Sequence, residues 1–370
     1  MIKLARPYFP EGFETNLLKV LNSGNIVQGE YVRILESQIE QYLPVRNAIL
    51  VSSGTAALHL ALLALDIKKG EEIIVPAFTF PATANVVEIV GAKIVPVDIT
   101  LNDYCVDISK IEERITNKTK AIIPVHEFGN IADMDKLLAI SKHYGIEIIE
   151  DAACALGTEY NHKKAGIWGK IGCFSLHPRK NITTGEGGIV VTNDDKIAEK
   201  INSLRSHGMV IKNGKYDFLS AGLNYRMTDF QAALGLSQFS ELETIITHRI
   251  SMAKIYNELL KDNMMLRTPF DSKDKKHTYQ TYHVLLDKKI DRDKLIAELH
   301  NAQIESNLGA YALNMLTYYK NKYRYNKTDF PNAITAYKHG LALPMGMHLC
   351  QKDIEFIATS LKTILMSHGL

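Results

Sequence analysis

Cysteine is scarce in this 370-residue chain: Cys105, Cys154, Cys173 and Cys350 stand apart, and no two of them show C-x-x-C spacing. That spacing excludes a zinc ribbon and a disulfide framework, and four free thiols fit a reducing, cytoplasmic setting. Long apolar runs are lacking too. No stretch approaches the roughly 20 residues of a membrane span, and Met1-Ile2-Lys3-Leu4-Ala5-Arg6-Pro7 has no apolar core, so no signal peptide is expected. Neither charge sign dominates: 43 Lys and Arg face 41 Asp and Glu, for a net +2, with no basic stripe. No nucleic-acid partner is therefore expected. A G-x-G-x-x-G turn after the first strand is also missing, which counts against a dinucleotide-dependent oxidoreductase. We find no internal repeat, no low-complexity segment and no cluster that suggests a metal.

What remains is an ordinary globular balance, 46% apolar and 23% charged, in a chain long enough for two domains. Helical spacing marks residues 12–22 and 29–43, the second with Val32, Leu35, Ile39 and Tyr42 on one face. From Asn47 onward, short apolar strands alternate with helices. Strands are expected at 47–52, 72–75, 93–98, 120–125, 146–150, 173–176 and 188–192. Helices are expected to start near Ser53, 82, 108 and 134. Asp107 should cap a helix over 108–115, and Asp133 one over 134–144 that Gly145 ends. This alternation predicts an α/β fold, a mainly parallel sheet covered on both faces. Thr228-Asp229-Phe230-Gln231 is a capping box opening a long, broken helix to about Leu260. Tyr279, Thr281 and His283 alternate as a strand should, Asp291 caps a helix, and a last helix starts near Lys352. We place a large α/β domain at 1–245 and a smaller α+β domain at 246–370.

In parallel sheets ligands gather beyond the carboxyl ends of the strands. Gly54, Phe80, Asp151 and Ser175 all fall there. Lys180 follows Ser175 by five residues and precedes the glycine-rich Gly185-Glu186-Gly187-Gly188. One lysine, one buried acid and a hydroxyl beside a helix N-terminus suit pyridoxal 5'-phosphate (PLP). Lys180 offers an amine for a Schiff base, made reactive by burial and nearby positive charge, and Asp151 a carboxylate for the ring nitrogen. Ser175 and the Gly54-Thr55 backbone offer donors for the phosphate. Phe80 can stack over the ring. His59, within an apolar helix, is read as a core or interface residue.

With these residues placed, nearly the whole chain resembles the DegT/DnrJ/EryC1/StrS family of PLP-dependent nucleotide-sugar aminotransferases. The likeness runs through Ser53-Gly54-Thr55-Ala56-Ala57-Leu58, Pro76-Ala77-Phe78-Thr79-Phe80, Glu150-Asp151-Ala152-Ala153, Phe174-Ser175-Leu176-His177 with Lys180, Gly185-Glu186-Gly187-Gly188 and Asn224-Tyr225-Arg226-Met227. The resemblance implies the aspartate-aminotransferase architecture (PLP fold type I), a seven-stranded, mainly parallel sheet, and a homodimer with sites at the subunit interface. It assigns Lys180 the Schiff base, Asp151 the ring nitrogen, Ser175 the phosphate, and Asn224 the phosphate of the partner subunit's cofactor. Where the family commonly has Gln, His or Glu facing the phenolic oxygen, this chain has Cys154. A lysine rather than a histidine at position 180 argues against the sugar-dehydrating branch. The implied reaction moves an amino group from glutamate to a nucleotide-linked keto sugar. Arg6-Pro7 together with Glu305–Tyr311 looks most like enzymes that aminate C4 of a dTDP-4-keto-6-deoxyhexose, with C3 amination or a UDP- or GDP-linked sugar as alternatives. His177 and Tyr311 are candidate sugar contacts. The implied setting is amino-sugar biosynthesis for surface polysaccharide such as lipopolysaccharide O-antigen, or for a glycosylated product.

Overall fold

Seven segments with near-continuous apolar burial make the central sheet: β1 (Asn47–Val51), β2 (Glu72–Pro76), β3 (Lys93–Val97), β4 (Thr119–Ile122), β5 (Glu147–Asp151), β6 (Ile171–Ser175) and β7 (Gly188–Thr192). The computed structural model describes residues 1–326 and 328–367; Lys327 and the last three residues of the expected small domain lie outside the described residues. The strand order is β1-β7-β6-β5-β4-β2-β3, and β7 alone runs against its neighbours. The fold is therefore α/β with a mainly parallel sheet, as the alternation predicts.

Period-two alternation sends successive side chains to opposite faces. Ala48 and Leu50 of β1 pack with α2 (Glu30–Tyr42), whose Val32, Leu35 and Ile39 form its buried stripe. Ile49 and Val51 face the other way, onto α3 (Gly54–Ala64), α4 (Ala82–Ile89) and a helix over Asp195–Leu204. Burying Leu35, Ile39 or Leu50 stabilises the sheet by about 1.5–3 kcal/mol per side chain. The caps stand where the sequence puts them. Asp133 accepts from the Lys136 N–H, Gly145 ends that helix at φ 66°, and the Thr228 capping box is complete. The long helix is broken between Phe239 and Leu242.

The second half of that broken helix, Leu242–Leu260, sends Ile245 and Ile246 into the large core and Met252, Tyr256 and Leu260 into a second one. There Tyr256 stacks on Tyr282 of a three-stranded antiparallel sheet (Leu266–Arg267, Tyr282–Leu286, Gly340–Leu343), with the helices Arg292–Asn301 and Gln351–Ser367 packed beside it. Several ties join this unit to the rest, among them the pairing of Lys275–Lys276 with Glu159–Tyr160. Tyr311–Ala312 pairs with Phe78–Thr79, and Ile2 pairs with Ile304.

Two expectations need correction. Residues 108–115 form two single 3-10 turns, Ile108–Lys110 and Glu112–Arg114, instead of one helix. Asp107 still caps the first through the Ser109 N–H, but Ile115 is already extended, so no second α-turn closes. The expected strand over 279–283 begins only at Tyr282, and Tyr279 sits at φ 49°. Its neighbours bond to a loop instead: the Thr278 and Thr281 N–H groups donate to Gly129 O and Phe128 O.

Candidate active site

A cleft of about 550 Å³ opens at the carboxyl edge of the sheet and is closed on its far side by the smaller unit. Its floor follows from strand register. Because β7 is antiparallel to both neighbours, Gly188 lies opposite Ser175 on one side and opposite Val51 on the other. That brings Ser175 against the start of α3, so closely that a Cβ on Gly54 would meet Ser175 Cβ at 2.9 Å. Ser53 caps α3 by accepting from the Ala56 N–H. The first turn of α3 leaves backbone N–H groups without helical partners, and Ser53, Gly54 and Thr55 line the cleft, a seat for an anion.

Asp151 ends β5 in full burial. Its Oδ2 accepts from Thr83 Oγ1 at 2.7 Å and its Oδ1 from the Ala153 N–H at 3.1 Å. Burial raises its carboxyl, against these two donors and the charge of Lys180. Lys180 reaches in from the loop after β6, and its Nζ donates to Cys154 Sγ at 3.0 Å. Burial alone would lower this amine, but the facing Cys154, Glu127 and Asp151 outweigh it and hold it above the ordinary lysine range. This corrects the expectation of a lysine made reactive by neighbouring cations: its neighbours are acids. Burial in turn pushes the Cys154 thiol up.

Of the residues singled out in the sequence, Gly54, Thr55, Phe80, Asp151, Cys154, Ser175, His177 and Lys180 all line this cleft. Phe80 is 64% exposed at its mouth, its ring 6.3 Å from that of Tyr311. Tyr311 does not itself line the cleft; it backs Phe80. Asn224 is exposed and also outside the cleft of its own chain. His59 is half-buried, with Nδ1 3.2 Å from Tyr225 Oη.

The sequence reading missed Thr83, Glu127 and Gln280. Thr83 and Asp151 are 68 positions apart, so only the fold reveals their bond. Gln280 Nε2 donates to Arg179 O at 2.7 Å, which ties the smaller unit to the lysine loop. Glu127 is 4% exposed and lines the cleft with Oε2 unpartnered. An acid inside Val125-His126-Glu127-Phe128, at a strand's end, was the available signal.

These residues answer the requirements of PLP. A lone amine, a buried carboxylate on fixed donors and a helix N-terminus beside a serine converge on one cleft, and the narrow Gly54–Ser175 contact leaves no room for a side chain where a phosphate would seat. Comparison with known proteins decides the matter, since the model of the DegT/DnrJ/EryC1/StrS aminotransferase family matches residues 9–362. The chain belongs to that family. It is a PLP-dependent sugar aminotransferase. It is 35% identical over 334 residues to GDP-perosamine synthase of Escherichia coli O157:H7, covering 90% of each chain. Among solved structures, a putative sugar aminotransferase of Streptococcus pneumoniae in its PLP form superposes with a TM-score of 0.94, 28% identity and 100% coverage of both chains. PseC of Helicobacter pylori, an aminotransferase of pseudaminic acid biosynthesis, also gives 0.94, with 29% identity and 99% of both chains covered. These matches place the fold in the aminotransferase class (fold type I). Among the described residues, no helix is long and apolar enough to cross a membrane, and no His, Cys, Asp and Glu group has metal-site geometry.

Proposed function

We propose that this enzyme transfers an amino group from glutamate to C4 of a nucleotide-linked 4-keto-6-deoxyhexose, dTDP-linked in our reading. The convergence of Lys180, Asp151 and the Ser53–Thr55 helix start on one cleft carries the aminotransferase step. In this reading Asp151 would hold the ring nitrogen, Ser175 with the Gly54 and Thr55 N–H groups would hold the phosphate, Phe80 would lie against the ring, and His177 would meet the sugar. When bound, PLP supplies an electron sink that acidifies the C–H bond beside the transferred nitrogen. Lys180 Nζ takes that proton and returns it on the other side of the exchange. Thr83 keeps the Asp151 carboxylate in place, and the smaller unit, through Gln280, ties down the lysine loop.

The C4 reading rests on the likeness of Arg6-Pro7 and Glu305–Tyr311 to enzymes that aminate C4, and the fold brings these two distant segments together. Leu4 and Ala5 line one wall of the cleft together with Asn307, Gly309 and Ala310. Glu305 joins them, accepting from Lys3 Nζ at 2.5 Å and from the Leu4 N–H at 3.1 Å. The 35% identity to GDP-perosamine synthase favours a second reading, a GDP-linked substrate of the same kind. We further propose a homodimer in which Asn224 serves the partner subunit's phosphate site. Its exposure outside its own cleft supports that arrangement. Incubating the enzyme and glutamate with dTDP-, GDP- and UDP-linked 4-keto-6-deoxyhexoses, and mapping the amine by NMR, tests the reading. A 4-amino product from the dTDP sugar is expected; failure to aminate any of these 4-keto sugars, with amination of a dTDP-linked 3-keto-6-deoxyhexose instead, overturns it.

A further inference from the structure

The cleft holds one carboxyl group that the proposed chemistry does not use. Glu127 follows β4, on the strand end beside Asp151, and its loop is fixed at both ends. His126 Nδ1 accepts from the Ala132 N–H, so Nε2 carries the proton and donates to Glu150 Oε2 at 2.8 Å. Phe128 takes a left-handed conformation at φ 58°, and Gly129 O accepts from Thr158 Oγ1 at 2.8 Å. A Cβ on Gly129 would meet Thr278 Oγ1 at 2.5 Å, so the loop has little room to shift. Held this way, the Glu127 side chain is buried and lines the cleft, with Oε2 lacking any partner among the described residues. A buried, unpartnered carboxyl oxygen costs free energy unless something in the site uses it.

We propose that Glu127 is a positioning residue that acts through Lys180: its buried carboxyl shares the cleft with the lysine nitrogen and, as it ionises, holds that nitrogen in the cationic form when the nitrogen carries the cofactor. This rests on the PLP reading of the cleft and assigns the site a second acid besides Asp151. Lys180, Cys154 and Asp151 are the ionisable groups within its electrostatic reach in the cleft. Glu127 also lines a small cavity together with Asp103, Tyr104, His277 and His283. Cys105 accepts from its backbone N–H. Asp103 is already paired with Lys275 at 3.1 Å. Burial draws His277 and His283 down to about 3 and pushes Cys105 and Tyr104 up, so none of these changes charge near neutral pH. Burial also pushes Glu127 up to about 8, with Lys180 pulling it down and Asp151 pushing it further. The glutamate and the lysine nitrogen therefore titrate as a coupled pair.

The test is a spectrophotometric pH titration of the full-length enzyme carrying PLP, comparing wild type with Glu127→Gln and Glu127→Asp. The visible band of the lysine-linked cofactor reports the charge on the nitrogen. Loss of the carboxylate in Glu127→Gln should lower the midpoint by about one pH unit, a tenfold change in proton affinity, and Glu127→Asp should recover part of the shift. Thermal unfolding of each variant confirms that it is folded. A midpoint that stays in place, or rises, in folded Glu127→Gln overturns the role given to Glu127 and leaves the aminotransferase reading intact. Absence of a visible band in wild type at every pH overturns the cofactor reading and this inference together.

Discussion

The amine of Lys180 donates to the sulfur of Cys154 at 3.0 Å, so the residue by which this chain departs from its family's usual pattern contacts the lysine itself. A thiol is a weak acceptor, so this single bond from the amine contributes on the order of 1 kcal/mol. Cys154→Ala should therefore lower kcat/KM by about tenfold or less. A loss beyond a hundredfold in the steady-state assay would give the thiol a chemical role that this contact does not support.

Thr83 should matter more than its chemistry suggests. It is the side chain that donates to the buried carboxylate of Asp151, and hydrogen bonds to charged groups contribute about 1.5–3 kcal/mol. Thr83→Val keeps the shape and removes the donor. PLP affinity, measured by fluorescence or by reconstitution of the visible band, should weaken by about tenfold or more. Unchanged affinity would mean that the Ala153 N–H alone suffices.

Glu127 also predicts a dependence of stability on pH. Its folded value, about 8, lies above the unfolded 4.5, so the folded state keeps a proton that the unfolded state has released. Stability is unaffected by this group below about pH 4.5, is lost progressively as pH rises from there to about 8, and stays at its minimum above. Measured without cofactor, the advantage of Glu127→Gln over wild type in urea unfolding should grow across that window, to a limit of roughly 5 kcal/mol. A constant difference between the two proteins at all pH values would contradict a carboxyl raised by burial.

Much of this site can be read in the sequence for a reason specific to parallel sheets. Residues at strand ends converge, so Gly54, Asp151, Ser175 and Lys180 need only be placed on their strands to be placed together. The sheet's apolar runs and the caps at Asp133 and Thr228 are equally local signals. What stayed hidden depends on contacts between distant segments. Thr83 lies on α4 and becomes important only when packing sets it against β5. Tyr279 alternates like a strand residue, but the Phe128–Gly129 loop takes the bonds its neighbours would have given a sheet. Glu112 and Glu113 suit a helix, yet Ile115 turns extended before one can form.

If sites are shared across a dimer, Lys180→Ala and Asn224→Ala should complement each other. Each variant alone should be inactive or nearly so. After refolding an equimolar mixture, half the dimers pair unlike subunits, each with one intact site, and about a quarter of wild-type activity should return. No recovery in verified mixed dimers would place both residues in the same subunit's site.

The central claim, that Lys180 and Asp151 hold PLP for amino transfer between glutamate and a nucleotide-linked 4-keto sugar, is tested most directly by one spectrum. The purified enzyme with PLP should show a visible band that bleaches on adding glutamate and returns on adding a dTDP-4-keto-6-deoxyhexose. The same protein carrying Lys180→Ala should show no lysine-linked band. A wild-type band that glutamate leaves untouched would contradict the donor half of the account. A bleached band that no nucleotide-linked 4-keto sugar restores would contradict the acceptor half.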